Sequence, residues 1–503
     1  MFRRKDNALP VADVADIITP PSHAPKLDKP AKEPKPPRRQ AHRIPPRRGH
    51  PRPFHGRAPL VPNVPVHRGS TGQVQGIYPW LNGASLPPYG AYIGVDTITG
   101  AAFPCHPIEW LRRGLITNPN MLITGTPGAG KSGTIKAMGL RLMAYGVKML
   151  VSGDIKGEYN KFAEALGVAP VKIGPGLPAR LNPLDAGPLG RNLPHEEHAL
   201  RERLDEVHRR RITLLSSLLS VRLHRELTPT EEAALSLAIH FAAGHSDRDR
   251  RVFDPTIPEV WALLRDPTPE MAYELRIRDD DPRELREMIR PTADALGNMV
   301  QGSLSGLFDG PSTVGLDFDA PIQTVDLSRL DGRNDDTISM TLACVSSWSQ
   351  AAIDQADGPV RMVVRDELWR ALRIPAMLRK VDSDLRLSRA QGTIQMLATH
   401  RLADFDSVGP EGSAEVAIAR NLLASCDVRI CMMQDITPLE ATREAVGLTD
   451  TECAHIASWS GSENIGYGIW KIGRNNSYSV SVRMHPAERA LFETNERMQV
   501  ARG

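Results

Sequence analysis

Short runs of consecutive apolar residues recur at 121–124, 147–152, 322–327, 361–365, 393–398 and 428–433, and longer stretches with helical periodicity separate them. Runs of this kind, apolar at successive rather than alternate positions, belong to a sheet covered on both faces. The pattern therefore predicts an α/β fold on a mainly parallel sheet. Residues 91–105 read as a hairpin, with Tyr92, Ile93, Gly94 and Val95 before the turn 97–100 and Ala101, Ala102 and Phe103 after it. A second hairpin is expected at 467–472 and 478–483, around Gly473, Arg474, Asn475, Asn476 and Ser477.

Residues 193–300 break the alternation with helical signals alone. In 229–243, Thr228 is placed to cap, Glu231 and Glu232 suit the first turn, and Leu235, Ala238, Ile239 and Ala242 share one face. This predicts an inserted all-α subdomain. The expected organisation is a tail over 1–75, the first part of the α/β domain over 76–192, the helical subdomain over 193–300, the second part over 301–490 and a C-terminal tail over 491–503. No internal repeat is visible.

Composition changes this picture only at the front. Of 503 residues, 41% are hydrophobic and 24% charged, which excludes wholesale disorder, a collagen or a disulfide scaffold. The five cysteines (Cys105, Cys344, Cys426, Cys431, Cys453) include no CxxC pair, and they read as reduced thiols. No run of 18 apolar residues occurs, and Met1, Phe2, Arg3, Arg4, Lys5 and Asp6 lack the apolar core of a signal peptide. The expectation is a cytoplasmic protein that meets a membrane only through partners, at its inner face. Residues 1–70 carry 15 Lys and Arg against 5 Asp and Glu, leaving 47 against 54 for the rest, so the net charge of +3 conceals a basic front and an acidic body. The same 70 residues hold 15 of the 42 prolines and little apolar periodicity, which predicts a disordered or polyproline-like tail. A solvated linker and a contact for DNA, acidic lipid or an acidic partner both fit that composition.

Candidate chemistry begins after the run 121–124. Gly125, Thr126, Pro127, Gly128, Ala129, Gly130, Lys131 and Ser132 match GxxxxGK[ST], with Gly133 following and Ile135, Met138 and Leu142 on one face of the next helix. Glycines let the backbone turn tightly so that N–H groups converge on phosphates at a helix N-terminus. Lys131 would neutralise the β- and γ-phosphates, and the Ser132 hydroxyl would hold Mg2+. The run 361–365 ends in Asp366 and Glu367. At the carboxyl end of a parallel strand, Asp366 would meet Mg2+ through its water shell and Glu367 would polarise the attacking water. The run 393–398 ends at Thr399, His400 and Arg401, where a polar side chain, His400 above all, could sense the γ-phosphate. Arg379, Lys380, Arg386 and Arg389 lie between the two and include candidates for an arginine finger, which phosphoryl transfer rewards with roughly 10³–10⁵ in rate.

With these residues in view, the chain resembles the motor ATPases of conjugation and type IV secretion, the VirB/TraC-like group within the HerA/FtsK superfamily. Asp154, Ile155, Lys156, Gly157, Glu158 and Tyr159 resemble the family's DxxGEY segment, residues 181–185 (LNPLD) its NP segment, residues 307–310 (LFDG) its FDG segment, and Asp366, Glu367, Leu368 and Trp369 its DE-x-W. The motifs follow the family's order over roughly residues 90–490. The resemblance implies a RecA-like P-loop NTPase fold, ATP and Mg2+ as cofactors, and a ring oligomer, a hexamer, working with a secretion or conjugation membrane complex, with DNA as a further candidate partner. By position Arg389, eleven residues before His400, matches the family's trans-acting arginine. His400 stands where the family usually has Gln. Where the family usually carries a long folded N-terminal domain, this sequence reads as a basic, proline-rich tail, so docking is expected to differ. A DNA translocase for segregation or repair and a nucleotide-gated scaffold are the competing readings, and the intact set Lys131, Ser132, Asp366 and Glu367 weighs against the scaffold.

Overall fold

The computed structural model describes residues 86–190, 193–244, 252–315, 317, 319–330, 332, 335–353, 358–372, 375–459, 461–474 and 476–492. The tail expected over 1–75 lies outside them, as do residues 493–503.

Among the described residues eleven strands form one sheet: β1 (Ala91–Asp96), β2 (Ala102–Cys105), β3 (Met121–Thr124), β4 (Lys148–Asp154), β5 (Val171–Lys172), β6 (Ile322–Asp326), β7 (Arg361–Arg365), β8 (Thr393–Thr399), β9 (Val428–Met432), β10 (Tyr467–Ile472) and β11 (Asn476–Val482). Their order is β2-β1-β11-β10-β9-β3-β8-β7-β4-β6-β5. From β9 to β5 every pairing is parallel. The two expected hairpins form, and they extend the same sheet antiparallel beyond β9.

The apolar runs become central strands because their side chains alternate between two covered faces. In β3, Met121 and Ile123 join a core with the helix Lys131–Met143, while Leu122 joins a core with the helices Pro375–Gln391 and Ala414–Ala424. Likewise Ile394, Met396 and Ala398 of β8 face the first core and Leu397 the second. With β3 flanked by β8 and β9, and β8 by β7, the strand ends that carry Gly125, His400 and Asp366 lie on one edge of the sheet.

Helices Glu197–Leu223, Pro229–Ala242, Ile257–Arg265, Pro269–Glu274 and Pro282–Asn298 fill the stretch 193–300. Their apolar faces share one continuous core with Val325 of β6, with Leu327 just after it and with Trp348 of the helix Asp335–Ile353. Residues 181–185 join the helices to the sheet. Asn182 donates to the Pro255 carbonyl at 3.0 Å, and the buried Arg211 donates to the Leu184 carbonyl at 2.7 Å and to Asp254 at 2.6 Å.

Thr228 caps its helix in a capping box with Glu231. The buried Glu231 carboxylate also takes two hydrogen bonds of 2.7 Å from Arg225 and one of 2.8 Å from Thr292, which ties two helices together. Arg225, foremost among these partners, holds the Glu231 carboxyl down to about 2. The stabilisation is therefore complete above the ordinary Glu range and fades as pH falls from about 4.5 towards 2. Glu231→Gln should cost roughly 2 kcal/mol at pH 7, the loss expected when a buried carboxylate gives up charge-assisted bonds. Urea unfolding followed by circular dichroism should show that gap narrowing as pH approaches 3. A gap that stays constant with pH would mean that packing, not the charge, is what Glu231 contributes.

Candidate active site

The turn after β3 can close because Gly128 and Gly130 take positive φ of 83° and 98°. At Gly130 a Cβ would also stand 3.0 Å from the Gly466 nitrogen, so a side chain has no room. The loop is fixed from both sides. Thr126 donates its N–H to the Met433 carbonyl at 2.9 Å, and Gly466 donates to the Ala129 carbonyl at 3.0 Å. The helix Lys131–Met143 starts there, with Ile135, Met138 and Leu142 buried.

A cavity of about 870 Å³ opens over this loop, lined on one side by Pro127, Gly128, Gly130, Lys131, Ser132 and Gly133 and on the other by Lys156, Glu158, Asp366, Glu367 and His400. Residues 131 and 367, far apart in the chain, meet there through one imidazole. His400 lies with Nδ1 2.9 Å from Lys131 Nζ and Nε2 3.0 Å from Glu367 Oε1. If Lys131 donates to Nδ1, the proton of the neutral ring sits on Nε2 and points at the carboxylate. β8 makes this possible because it runs between β3 and β7.

Lys131 also donates to the carbonyls of Gly125 at 2.7 Å and Thr126 at 3.2 Å. Burial lowers its pKa to about 8 against the opposing pull of Asp366 and Glu367. Glu367 takes hydrogen bonds from His400, from Lys156 and, at 2.7 Å, from Trp369. Burial alone would raise its pKa; these donors outweigh burial and hold the carboxyl well below the usual range. Its backbone sits at φ 51°, a left-handed conformation that costs a non-glycine residue energy and gathers at functional sites. Asp366 is shifted the other way, upward, by desolvation and by the charges of Glu158 and Glu367.

The segment 154–159 now has a physical account. Asp154 accepts the backbone N–H groups of Glu158 at 3.0 Å and Tyr159 at 2.7 Å, which folds the loop back on itself. That turn presents Lys156 to Glu367 and aims the buried Tyr159 hydroxyl at Asp366, to which it donates at 3.1 Å. Burial lifts the Asp154 pKa to about 6. The sequence singled out the segment, but a role for Asp154 appears only with these bonds.

Arg389 does not line the cavity; it is exposed in the last turn of the helix Pro375–Gln391. That helix is tied to the acidic pair, because Arg365, the last residue of β7, donates to Asp384 at 2.6 Å within the core. The remaining wall, Glu463, Ile465, Gly466, Val482, Met484, Arg489 and Phe492, comes from the segment leading into β10, the end of β11 with the residues after it, and the helix Pro486–Phe492. Sequence reasoning missed it, since nothing local to these residues announces a ligand.

With this geometry in hand, the similarity to solved structures can be placed. VirB4 of Thermoanaerobacter pseudethanolicus matches 81% of this chain and 99% of its own, with a TM-score of 0.61 at 22% identity. The chain has the VirB4 fold. The bacterial conjugative coupling protein TrwBdeltaN70, in an unbound form, matches 83% of this chain and 92% of its own, with a TM-score of 0.51 at 11% identity. The plasmid coupling protein TrwB in complex with the GTP analogue GDPNP gives 0.52 at 12% identity, over 83% of this chain and 93% of its own. No protein-family model matches the chain, and no curated protein matches it in sequence. On this VirB4 fold no helix among the described residues is long and apolar enough to cross a membrane.

Proposed function

We propose that the chain is an ATP-hydrolysing motor of conjugative transfer or type IV secretion, active as a ring. One observation carries the ATPase part: a single histidine bridges Lys131 and Glu367 across one nucleotide-sized cavity. The transfer part rests on the motif order and on a fold shared with VirB4 over most of both chains.

The phosphates of ATP dock on the N–H groups of residues 128–133 and on Lys131, at the positive end of the helix Lys131–Met143. Ser132 and Asp366 would hold Mg2+: both offer hard oxygen donors to the same cavity, the donor type this ion takes. When bound, Mg2+ would supply positive charge against the negative charge of the phosphate oxygens. Water attacks the γ-phosphorus, the bond to the β–γ bridging oxygen breaks, and the water proton passes to Glu367, leaving ADP and phosphate. His400 reports whether the γ-phosphate is present. Arg389, exposed on a helix that Asp384 ties to Arg365 just before Asp366, reaches the site of the next subunit.

Arg389→Ala should lower turnover roughly 10³-fold or more while nucleotide still binds. Mixed with Glu367→Gln subunits, themselves inactive, it should recover part of the activity, because some interfaces then pair an intact Glu367 with an intact Arg389. Recovery measured as phosphate release, alongside particle size, tests the ring; mixtures as inactive as their parents would rule out a finger acting between subunits. Strong stimulation by duplex DNA that collapses with salt would move the assignment to a DNA translocase.

A further inference from the structure

Glu367 holds three donors, and both acceptor positions of its Oε1 are taken. Oε1 receives Lys156 and His400, and Oε2 receives Trp369. Water arriving to be activated would find the inward oxygen already occupied. In the empty site two of the three donors are held in place. Trp369 lies two residues along the same turn, and His400 is tethered by its other nitrogen to Lys131. Lys156 is different: 48% of its side chain is exposed, on a flexible four-carbon stem at the cavity wall. Lys131 is in a similar state, with its ammonium resting on the Gly125 and Thr126 carbonyls of its own loop. Both ammonium groups at this end of the cavity thus rest on protein oxygens.

We propose that Lys156 is a ligand of the terminal phosphate: it rests on Glu367 while that position is empty and moves to the γ-phosphate when a nucleoside triphosphate enters. A triphosphate brings to this end of the cavity a strongly charged group that a diphosphate lacks, and Lys156 is a half-exposed cation on the wall that carries Glu367. The move frees Oε1 for water, so the base becomes available only when there is a γ-phosphate to attack. After phosphate leaves, Lys156 returns and closes the base again. This goes beyond a surface ion pair, because the carboxylate partner is buried and does the chemistry. The inference rests on the nucleotide reading of the cavity.

The test is calorimetric titration of the full chain with ADP and with the β,γ-imido analogue of ATP, in Mg2+. Lys156→Met should weaken the triphosphate analogue about tenfold and ADP less than twofold, with an unchanged melting temperature. Lys156→Arg, which keeps the charge, should restore the analogue to within about threefold of the original affinity. Glu367→Gln should tighten binding of the analogue when Lys156 is present and not when it is Met. Equal losses for both nucleotides, or no loss, would overturn the proposal. If Lys131→Ala abolishes binding while Lys156→Met keeps the full preference for triphosphate, the nucleotide site stands and only the role of Lys156 falls. Failure of the unaltered chain to bind either nucleotide would remove both.

Discussion

Glu367→Gln is expected to stop ATP hydrolysis, lowering kcat by roughly three orders of magnitude, within the range a positioned general base supplies. Nucleotide binding should survive and, by the argument for Lys156, tighten. The substitution is nearly isosteric. The amide oxygen can still accept from Trp369, whose Nε1 lies 2.7 Å from Oε2, so the turn at 366–369 keeps its anchor. What disappears is the negative charge that takes the proton from water. Steady-state phosphate release and equilibrium binding of ATP, measured on the same preparation, separate the two effects. Turnover near the original rate would mean that another group accepts the proton, and the strained φ of Glu367 would then need a different explanation.

Much of the frame around this residue was legible in the sequence because it rests on local rules. The six apolar runs are the strands β3, β4, β6, β7, β8 and β9, displaced at most by a residue or two, since a strand buried on both faces leaves an uninterrupted apolar signature. The phosphate loop was legible because its glycines answer to backbone geometry. By contrast β5, Val171–Lys172, is too short to carry a pattern. The two hairpins were readable as hairpins, yet nothing in them foretold that both would extend the nucleotide-binding sheet beyond β9. Strand order is set by long-range packing, and with it the seat of β8 between β3 and β7, on which the His400 bridge depends.

The site follows the same division. Lys131, Ser132, Asp366 and Glu367 stand at strand or helix ends, where sequence position and spatial position coincide. Lys156 does not announce itself, because an exposed lysine in a loop is the commonest of surface features; its meaning comes from Asp154, which folds the loop so that this one lysine meets a buried carboxylate. Met484, Arg489 and Phe492 reach the cavity through an analogous tertiary device. Arg141 of the phosphate-loop helix takes Glu488 at 2.6 Å and the Arg483 carbonyl at 2.6 Å, drawing the helix Pro486–Phe492 against the site. No local pattern encodes that clasp.

Lys131→Ala is expected to have the broadest effect: hydrolysis lost and affinity for ATP reduced about a hundredfold or more, with the fold intact. In the empty chain Lys131 contributes little that a methyl would not, since its ammonium is buried at a cost and only partly repaid by two carbonyls and His400. With phosphates bound, the same ammonium faces a dense negative charge in a water-poor cavity, and its interaction becomes the largest single attraction there. Ligand-induced stabilisation reads this directly. A ligand at a hundred times its Kd adds about 2.7 kcal/mol to the folded state, so ATP should raise the melting temperature of the unaltered protein and leave that of the variant almost unmoved. Lys131→Arg should not rescue it, because a larger planar guanidinium replaces the compact point charge that the tight loop over residues 125–133 sets against the phosphates. If the alanine variant were stabilised by ATP as strongly as the original, the cavity over residues 125–133 would not be where the triphosphate binds, and the roles assigned to Ser132, Asp366, Glu367 and Lys156 would fall with it.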